Sequence, residues 1–293
     1  MKTPRVAIFP VGGLGTRFLP FTKSVPMELL PLNGRPIIEY AVSEARKAGI
    51  ERIVFVNSPA KPQLEDHFRS QPELEGELFI TGRHEELEKV VATDLGDRLH
   101  VVHQDRPLGI GHAVLCARQF VFNEPFAVIL PDDFIHADRP VLKQMIEAYQ
   151  QRPGNYVATH DVGVGAINNY GSLDIAEDDG KVLSLKNIVE KPDPLEAPST
   201  YAVVGRYILQ PEVLKTLSTA RPKANGRIEL TDAIATQKDL FAYRFDGSHY
   251  DCGQPAGYAA ANIYMTTCKT KSRILPNTLR TARVSGMPVL NMG

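Results

Sequence analysis

Short apolar runs and amphipathic stretches alternate along the first half of the chain. Residues 6–11 form a strand-like apolar run that leads into a glycine-rich turn. From about Pro36 the period changes: Ile38, Val42, Ala45 and Ala48 recur at helical spacing and share one face. Pro36 suits the first turn of that helix, and Gly49 suits the left-handed cap that ends it. Residues 53–56 (Ile-Val-Phe-Val) then make a continuous β-branched and aromatic run, the pattern of a strand buried on both faces. Strand, helix, strand predicts a parallel βαβ unit. The rhythm returns with a helix over 111–122, a strand over 126–130 and a helix over 140–150. Beyond Tyr156 the pattern is strand-rich, through 171–175, 182–189 and 201–209, with helices starting at Pro211 and Glu229 and another over 253–267. This order predicts an α/β sandwich. Ligands of open α/β sheets bind beyond the carboxyl ends of the strands, so chemistry is expected in the turns after Val11, Val102 and Leu130.

Composition narrows the classes. At 293 residues, 43% hydrophobic and 23% charged, the chain can bury a large core. Its 33 basic and 34 acidic residues leave a net charge of −1, which argues against nucleic-acid or membrane binding by bulk field. No apolar run approaches the roughly 20 residues a bilayer span needs, and no signal-peptide pattern opens the chain, so a cytoplasmic protein is expected. Cys116, Cys252 and Cys268 form no Cys-x-x-Cys pair, which predicts reduced thiols.

Three places carry candidate chemistry. The turn Gly12-Gly13-Leu14-Gly15-Thr16-Arg17 lets backbone N–H groups approach a phosphate or base edge, and Arg17 adds a forked, permanently charged donor. Pro20, Pro26 and Pro31 break the helix that a dinucleotide fold would place there, and no Walker A ending follows, so a ligand-free glycine connection is the plain alternative. Asp132 and Asp133 follow a buried strand, and Asp251 precedes the last long helix. Such widely spaced carboxylates suit Mg²⁺, which takes one or two of them plus phosphate oxygens; they suit turn capping equally well. Glu190-Lys191 ends a strand, where a regular pleat would send the two side chains to opposite faces.

Taken together, these residues resemble the sugar-phosphate nucleotidyltransferases, and among them the bacterial UTP–glucose-1-phosphate uridylyltransferases. The resemblance runs through the glycine loop, Gln104-Asp105-Arg106-Pro107-Leu108-Gly109-Ile110-Gly111-His112-Ala113, Leu130-Pro131-Asp132-Asp133, Tyr170-Gly171, Val189-Glu190-Lys191-Pro192, Val204-Gly205-Arg206-Tyr207, Leu230-Thr231-Asp232-Ala233-Ile234 and Asp251-Cys252-Gly253. It implies a single nucleotidyltransferase domain over 1–268, a Rossmann-like α/β fold whose mixed, mostly parallel sheet is flanked by helices, and a homodimer or homotetramer. It also implies nucleotide contacts at Gly12, Gly13, Gln104, Pro107 and Gly109. Sugar-phosphate contacts fall on Gly171, Glu190 and Lys191, with Mg²⁺ on Asp132 and Asp251 and the catalytic charges on Arg17, Lys191 and Asp132. The reaction implied joins UTP and glucose 1-phosphate into UDP-glucose and pyrophosphate.

Two positions depart from the family pattern. The loop signature ends Pro-Lys-x-x-x-Pro, whereas this chain reads Pro26-Met27-Glu28-Leu29-Leu30-Pro31, and Arg227 stands where such enzymes usually carry an acid. Met27 brings no charge to the nucleotide phosphates, and Lys23 and Arg35 are the nearby cations in sequence that could stand in. An active uridylyltransferase, with lowered rate or shifted substrate, and a nucleotide-sugar-binding paralogue that regulates an active relative are the two readings. Residues 269–293 carry Lys269, Lys271, Arg273, Arg280 and Arg283 among apolar residues and no acid, which suits an extension packed on a neighbouring subunit.

Overall fold

The computed structural model describes residues 2–272, with side chains through residue 267. The side chains from Cys268 onward and the part of the basic extension beyond Ser272, expected to pack on a neighbour, lie outside the described residues. The chain opens with β1 (Val6–Pro10), three single-turn 3-10 helices (Thr16–Phe18, Phe21–Lys23, Met27–Leu29) and the hairpin β2 (Pro31–Leu32) and β3 (Arg35–Pro36). Next come α1 (Ile37–Lys47), β4 (Arg52–Asn57), α2 (Gln63–Asp66), α3 (Pro72–Ile80), α4 (His84–Val91) and β5 (Leu99–His103). The middle of the chain supplies α5 (Ile110–Cys116), β6 (Phe126–Ile129), β7 (Asp133–His136), α6 (Val141–Gln151) and β8 (Asn155–Asp161). It continues as β9 (Gly171–Asp179), β10 (Val182–Glu190), β11 (Tyr201–Leu209), α7 (Glu212–Thr219) and α8 (Leu230–Ala235), then β12 (Leu240–Arg244), β13 (Ser248–Asp251) and α9 (Pro255–Ser272). This last helix runs across the division expected at 268/269.

The main sheet has the order β5-β4-β1-β6-β11-β8-β12-β10-β9. Its first four strands pair in parallel, as the βαβ reading expects. Antiparallel pairing begins where β11 joins β6, and of the later neighbours only β8 and β12 run parallel. The parallel character therefore belongs to the N-terminal half, where helical crossovers connect the strands; beyond it short turns and β11 make the sheet mixed. β1, β4 and β6 are buried on both sides, whereas the edge strand β5 is half-buried. Phe9, Ile53 and Phe55 face a core with Ile38, Val42 and Ala45 of α1 and Met145 of α6. Ile8, Val54 and Val56 face a second core with Val114 of α5, Val213 of α7 and Ile234 of α8. Alternate residues thus serve opposite helix layers, and each fully buried Val, Ile or Phe contributes about 1.5–3 kcal/mol. Gly49 (φ +94°) ends α1 as read from sequence.

One polar element crosses this apolar frame. Arg206 is 2% exposed and donates through Nε and Nη2 to Glu44 of α1, at 3.0 and 2.9 Å to Oε2. Its Nη1 donates to the carbonyls of Leu130 and Gly205, both at 3.0 Å. The guanidinium reaches them because β11 shifts register against β8 between Val204 and Tyr207, leaving Gly205 and Arg206 as a bulge. Arg206 therefore fastens the end of β6, where Asp132 begins, to α1. Losing one partner of so buried a pair typically costs about 3–5 kcal/mol.

Candidate active site

The carboxyl ends of β1 and β6 open onto two adjoining cavities. The first, about 200 Å³, is lined by Gly12, Gly13, Gln104, Pro107 and Gly109, together with Met27, Glu28, Asp132 and Arg227. The second, about 220 Å³, is lined by Arg17, Asp133, Tyr170, Gly171, Glu190, Lys191 and Asp251, and again by Asp132 and Arg227. Every candidate site residue read from the sequence thus falls in one cavity or the other, and Asp132 in both.

The first cavity is built around a fixed amide. Gln104 Nε2 lies 3.2 Å from the carbonyl of Gly109 and 2.8 Å from His112 Nδ1. A carbonyl can only accept, so the atom facing it is the NH₂, and its two protons go to Gly109 and His112. His112 then accepts at Nδ1, and Gln104 Oε1 is left as the acceptor available to a ligand. Behind the glycine turn, Lys61 Nζ donates to the carbonyl of Val11 (3.1 Å) and to both oxygens of Glu28 (3.2 and 3.0 Å). Burial pushes the Glu28 carboxyl above the usual range, against the pull of Lys61.

Three aspartates meet at the junction with different duties. Burial lifts Asp133, but the bond from His249 Nε2 (2.6 Å), the His249 and Arg206 charges and the Gly205 N–H (2.9 Å) together hold it below the carboxylate range. It is a structural carboxylate, the capping role that the sequence left open. Asp132 has no such partners. Burial and the charges of Asp133, Asp251 and Glu28 push its pKa up to about 7. Asp251 is raised by burial and by Asp133, with Arg17 pulling the other way. Asp251 also accepts the N–H of Gly253 at 3.0 Å, and the Tyr170 hydroxyl donates to it at 3.4 Å. Asp132, Asp251 and Arg17 converge over Gly253. A Cβ there would lie 2.9 Å from Asp132 Oδ2, 3.0 Å from Asp251 Oδ1 and 3.3 Å from Arg17 Nη1. Two converging hard oxygens, where burial and neighbouring carboxylates outweigh the pull of Arg17, fit a divalent cation such as Mg²⁺. Among the described residues no group of three or more His, Cys, Asp or Glu side chains is arranged for a metal, so phosphate oxygens would complete the shell.

Glu190 and Lys191 depart from the pleat read in sequence. β10 ends at Glu190, and Lys191 adopts φ +47°, so both side chains line the second cavity. Left-handed backbone at a lysine costs on the order of 1–3 kcal/mol and clusters at functional sites. Glu190 is held by the Thr231 hydroxyl (2.8 Å). The stand-in cations suggested by sequence proximity do not enter either cavity's lining. Arg35 pairs with Glu39 at 2.7 Å on the far side of α1, and Lys23 lies on an exposed turn. Cys252 is buried and its thiol is pushed up to about 12 by burial and the aspartates, so it stays protonated; Cys116 is also free.

Sequence reading assigned no role to Lys61, Glu28, His112 or His249. The strand-end rule names the turn after β4, where Lys61 sits, as readily as the turns it was applied to. The pairings of Glu28, His112 and His249 carry no local sequence signal.

Comparison with known proteins agrees with this geometry. The sequence model of the nucleotidyl transferase family matches residues 6–267. The chain is 42% identical to the UTP–glucose-1-phosphate uridylyltransferase of Bacillus subtilis (strain 168), over 90% of this chain and 91% of the relative. Its fold is similar to that of a UDP-glucose pyrophosphorylase solved with UDP-glucose, with TM-score 0.80, 38% identity and coverage of 92% of this chain and 100% of the other. It is similar also to a UTP-bound UGPase from Acinetobacter baumannii, with TM-score 0.83, 34% identity and coverage of 93% and 100%. No helix among the described residues is long and apolar enough to cross a membrane.

Proposed function

Because the chain belongs to the nucleotidyl transferase family, alongside the bacterial UTP–glucose-1-phosphate uridylyltransferases, we propose that it converts UTP and glucose 1-phosphate into UDP-glucose and pyrophosphate. The observation that carries this reading is the pair of cavities meeting at Asp132, one walled by glycine turns and a fixed amide, the other by Lys191, Glu190 and Arg17. UTP occupies the first and glucose 1-phosphate the second.

A sugar phosphate has a second pKa of about 6, so its oxygen is ionised and nucleophilic at neutral pH without a protein base. The nucleophile's oxygen forms a bond to the α-phosphorus as the bond from that phosphorus to the bridging oxygen breaks, and pyrophosphate leaves with the electron pair. The protein's task is alignment and charge neutralisation. Lys191 holds the sugar phosphate in line, Arg17 holds the triphosphate, and Glu190 and the Gly171 backbone take sugar hydroxyls. Asp132 and Asp251 would hold Mg²⁺, which when bound supplies positive charge to the phosphates. Gln104 Oε1 accepts the N3–H of uracil. Cytosine presents an acceptor at that position, so two lone pairs would face each other in a part-buried site.

The protein works in the cytoplasm on this reading, as a homodimer or homotetramer. Exposed Leu74, Phe79 and Ile80 on α3 offer apolar surface for such assembly.

The test is pyrophosphate release in MgCl₂ with a panel of nucleotides. UTP with glucose 1-phosphate is expected to release pyrophosphate mole for mole with UDP-glucose, and CTP to be at least about tenfold poorer in kcat/KM. Release from no nucleotide, or a preference for CTP, would overturn the assignment.

A further inference from the structure

Arg227 lines both cavities, and among the described residues it is the one cation in the lining of the first. Two carboxylates, Glu28 and Asp132, line that same cavity, and Met27 faces it without charge. Lys61 stands behind the glycine turn with its ammonium already engaged by Glu28 and the Val11 carbonyl. A nucleoside triphosphate entering the cavity therefore meets one positive side chain of the protein there, and meets it where the two cavities join.

Backbone bonds set Arg227 in place. Ile228 N donates to the Leu108 carbonyl at 2.8 Å, and Gly111 N donates to the Ile228 carbonyl at 2.9 Å. This knits the segment to the strip carrying Gly109, whose φ of +96° and close approach to Ile228 O and Arg227 leave no room for a side chain. On the other side, the Arg227 carbonyl accepts the N–H of Lys223 at 2.9 Å. The guanidinium is free to act. Its side chain is 46% exposed, and its ion pair with Glu229 is loose, at 3.5 Å.

We propose that Arg227 is the catalytic cation of the nucleotide cavity: its guanidinium contacts the α-phosphate during transfer, supplying within the same cavity the charge that Met27 lacks. The fork geometry suits this, because guanidinium binds phosphate oxygens in pairs. The proposal rests on the nucleotidyl transfer reading, and two readouts separate them: UTP affinity by calorimetry, and pyrophosphate release.

Arg227→Gln is expected to weaken UTP binding several-fold and to lower kcat about a hundredfold, the usual consequence of losing a positioned charge at a transition state. Met27→Lys placed in the Arg227→Gln protein is expected to return at least about tenfold of that kcat. A merely structural loop residue would not be rescued by a charge placed elsewhere in the cavity lining. The proposal is overturned if Arg227→Gln keeps kcat and UTP affinity within twofold of wild type, or if the added lysine restores nothing. A wild type that binds UTP more tightly than Arg227→Gln yet releases no pyrophosphate overturns the transfer reading and upholds Arg227 as a phosphate contact.

Discussion

Asp132→Asn and Asp251→Asn are each expected to lower turnover by at least about a thousandfold while leaving the fold intact. The carboxylates converge on one point over Gly253, where burial and neighbouring carboxylates outweigh the pull of Arg17. An amide keeps the shape and loses the charge. The two variants separate a functional role from a structural one through their stability. Burial and neighbouring carboxylates raise Asp132 to about 7, far above its value in an unfolded chain, so its ionised form opposes folding near neutral pH. Without added metal, Asp132→Asn is therefore expected to raise the thermal midpoint as it removes activity, the trade expected when a site holds unfavourable charge for function. A lowered midpoint with activity retained would mean that Asp132 is a structural cap and holds no metal.

Gly253→Ala has the second large effect. The added Cβ would sit under 3 Å from Asp132 Oδ2 and about that distance from Asp251 Oδ1, with Arg17 Nη1 close behind at 3.3 Å. Two of these groups are tied in place: Asp251 accepts the Gly253 N–H, and Arg17 Nη1 donates to the Gly253 carbonyl at 3.4 Å. One methyl must then spread all three. A displacement of roughly an ångström at reacting groups costs on the order of a hundredfold in rate, whereas overpacking costs about 1–3 kcal/mol of stability. A drop of that size in kcat with a folded protein is the expected outcome, read by steady-state kinetics beside circular dichroism. Unchanged kcat would mean that the three side chains need not converge.

The sequence exposed those parts of the site whose signal is local. Glycines at a strand end, an Asp after a buried strand and an acid beside a base each mark a turn, and every residue picked on those grounds lines one of the two cavities. Helix α1 was legible because its apolar positions share one face and proline and glycine bracket it. Helices α3 and α4 were not, since Leu78 is their one buried residue and apolar side chains such as Phe79, Ile80 and Val91 stay exposed instead of marking a core face. The missing pieces of the site depend on contacts that topology makes. Lys61 meets Glu28 because β4 and β1 end side by side, and His249 meets Asp133 because β13 pairs with β7. Arg35 illustrates the converse: close to Met27 in sequence, it folds away to Glu39. Lys191 adds a third case, for a left-handed residue at a strand end reverses the alternation that period alone predicts.

On the proposed reading, transfer is a single direct displacement, with sugar phosphate and pyrophosphate in line across the α-phosphorus and no protein nucleophile between them. Stereochemistry tests this most directly. With UTP carrying sulfur in one configuration at the α-phosphorus, one in-line displacement predicts a UDP-glucose thio-analogue of inverted configuration, read by phosphorus NMR. Retention would require two displacements through a uridylylated side chain and would contradict the account.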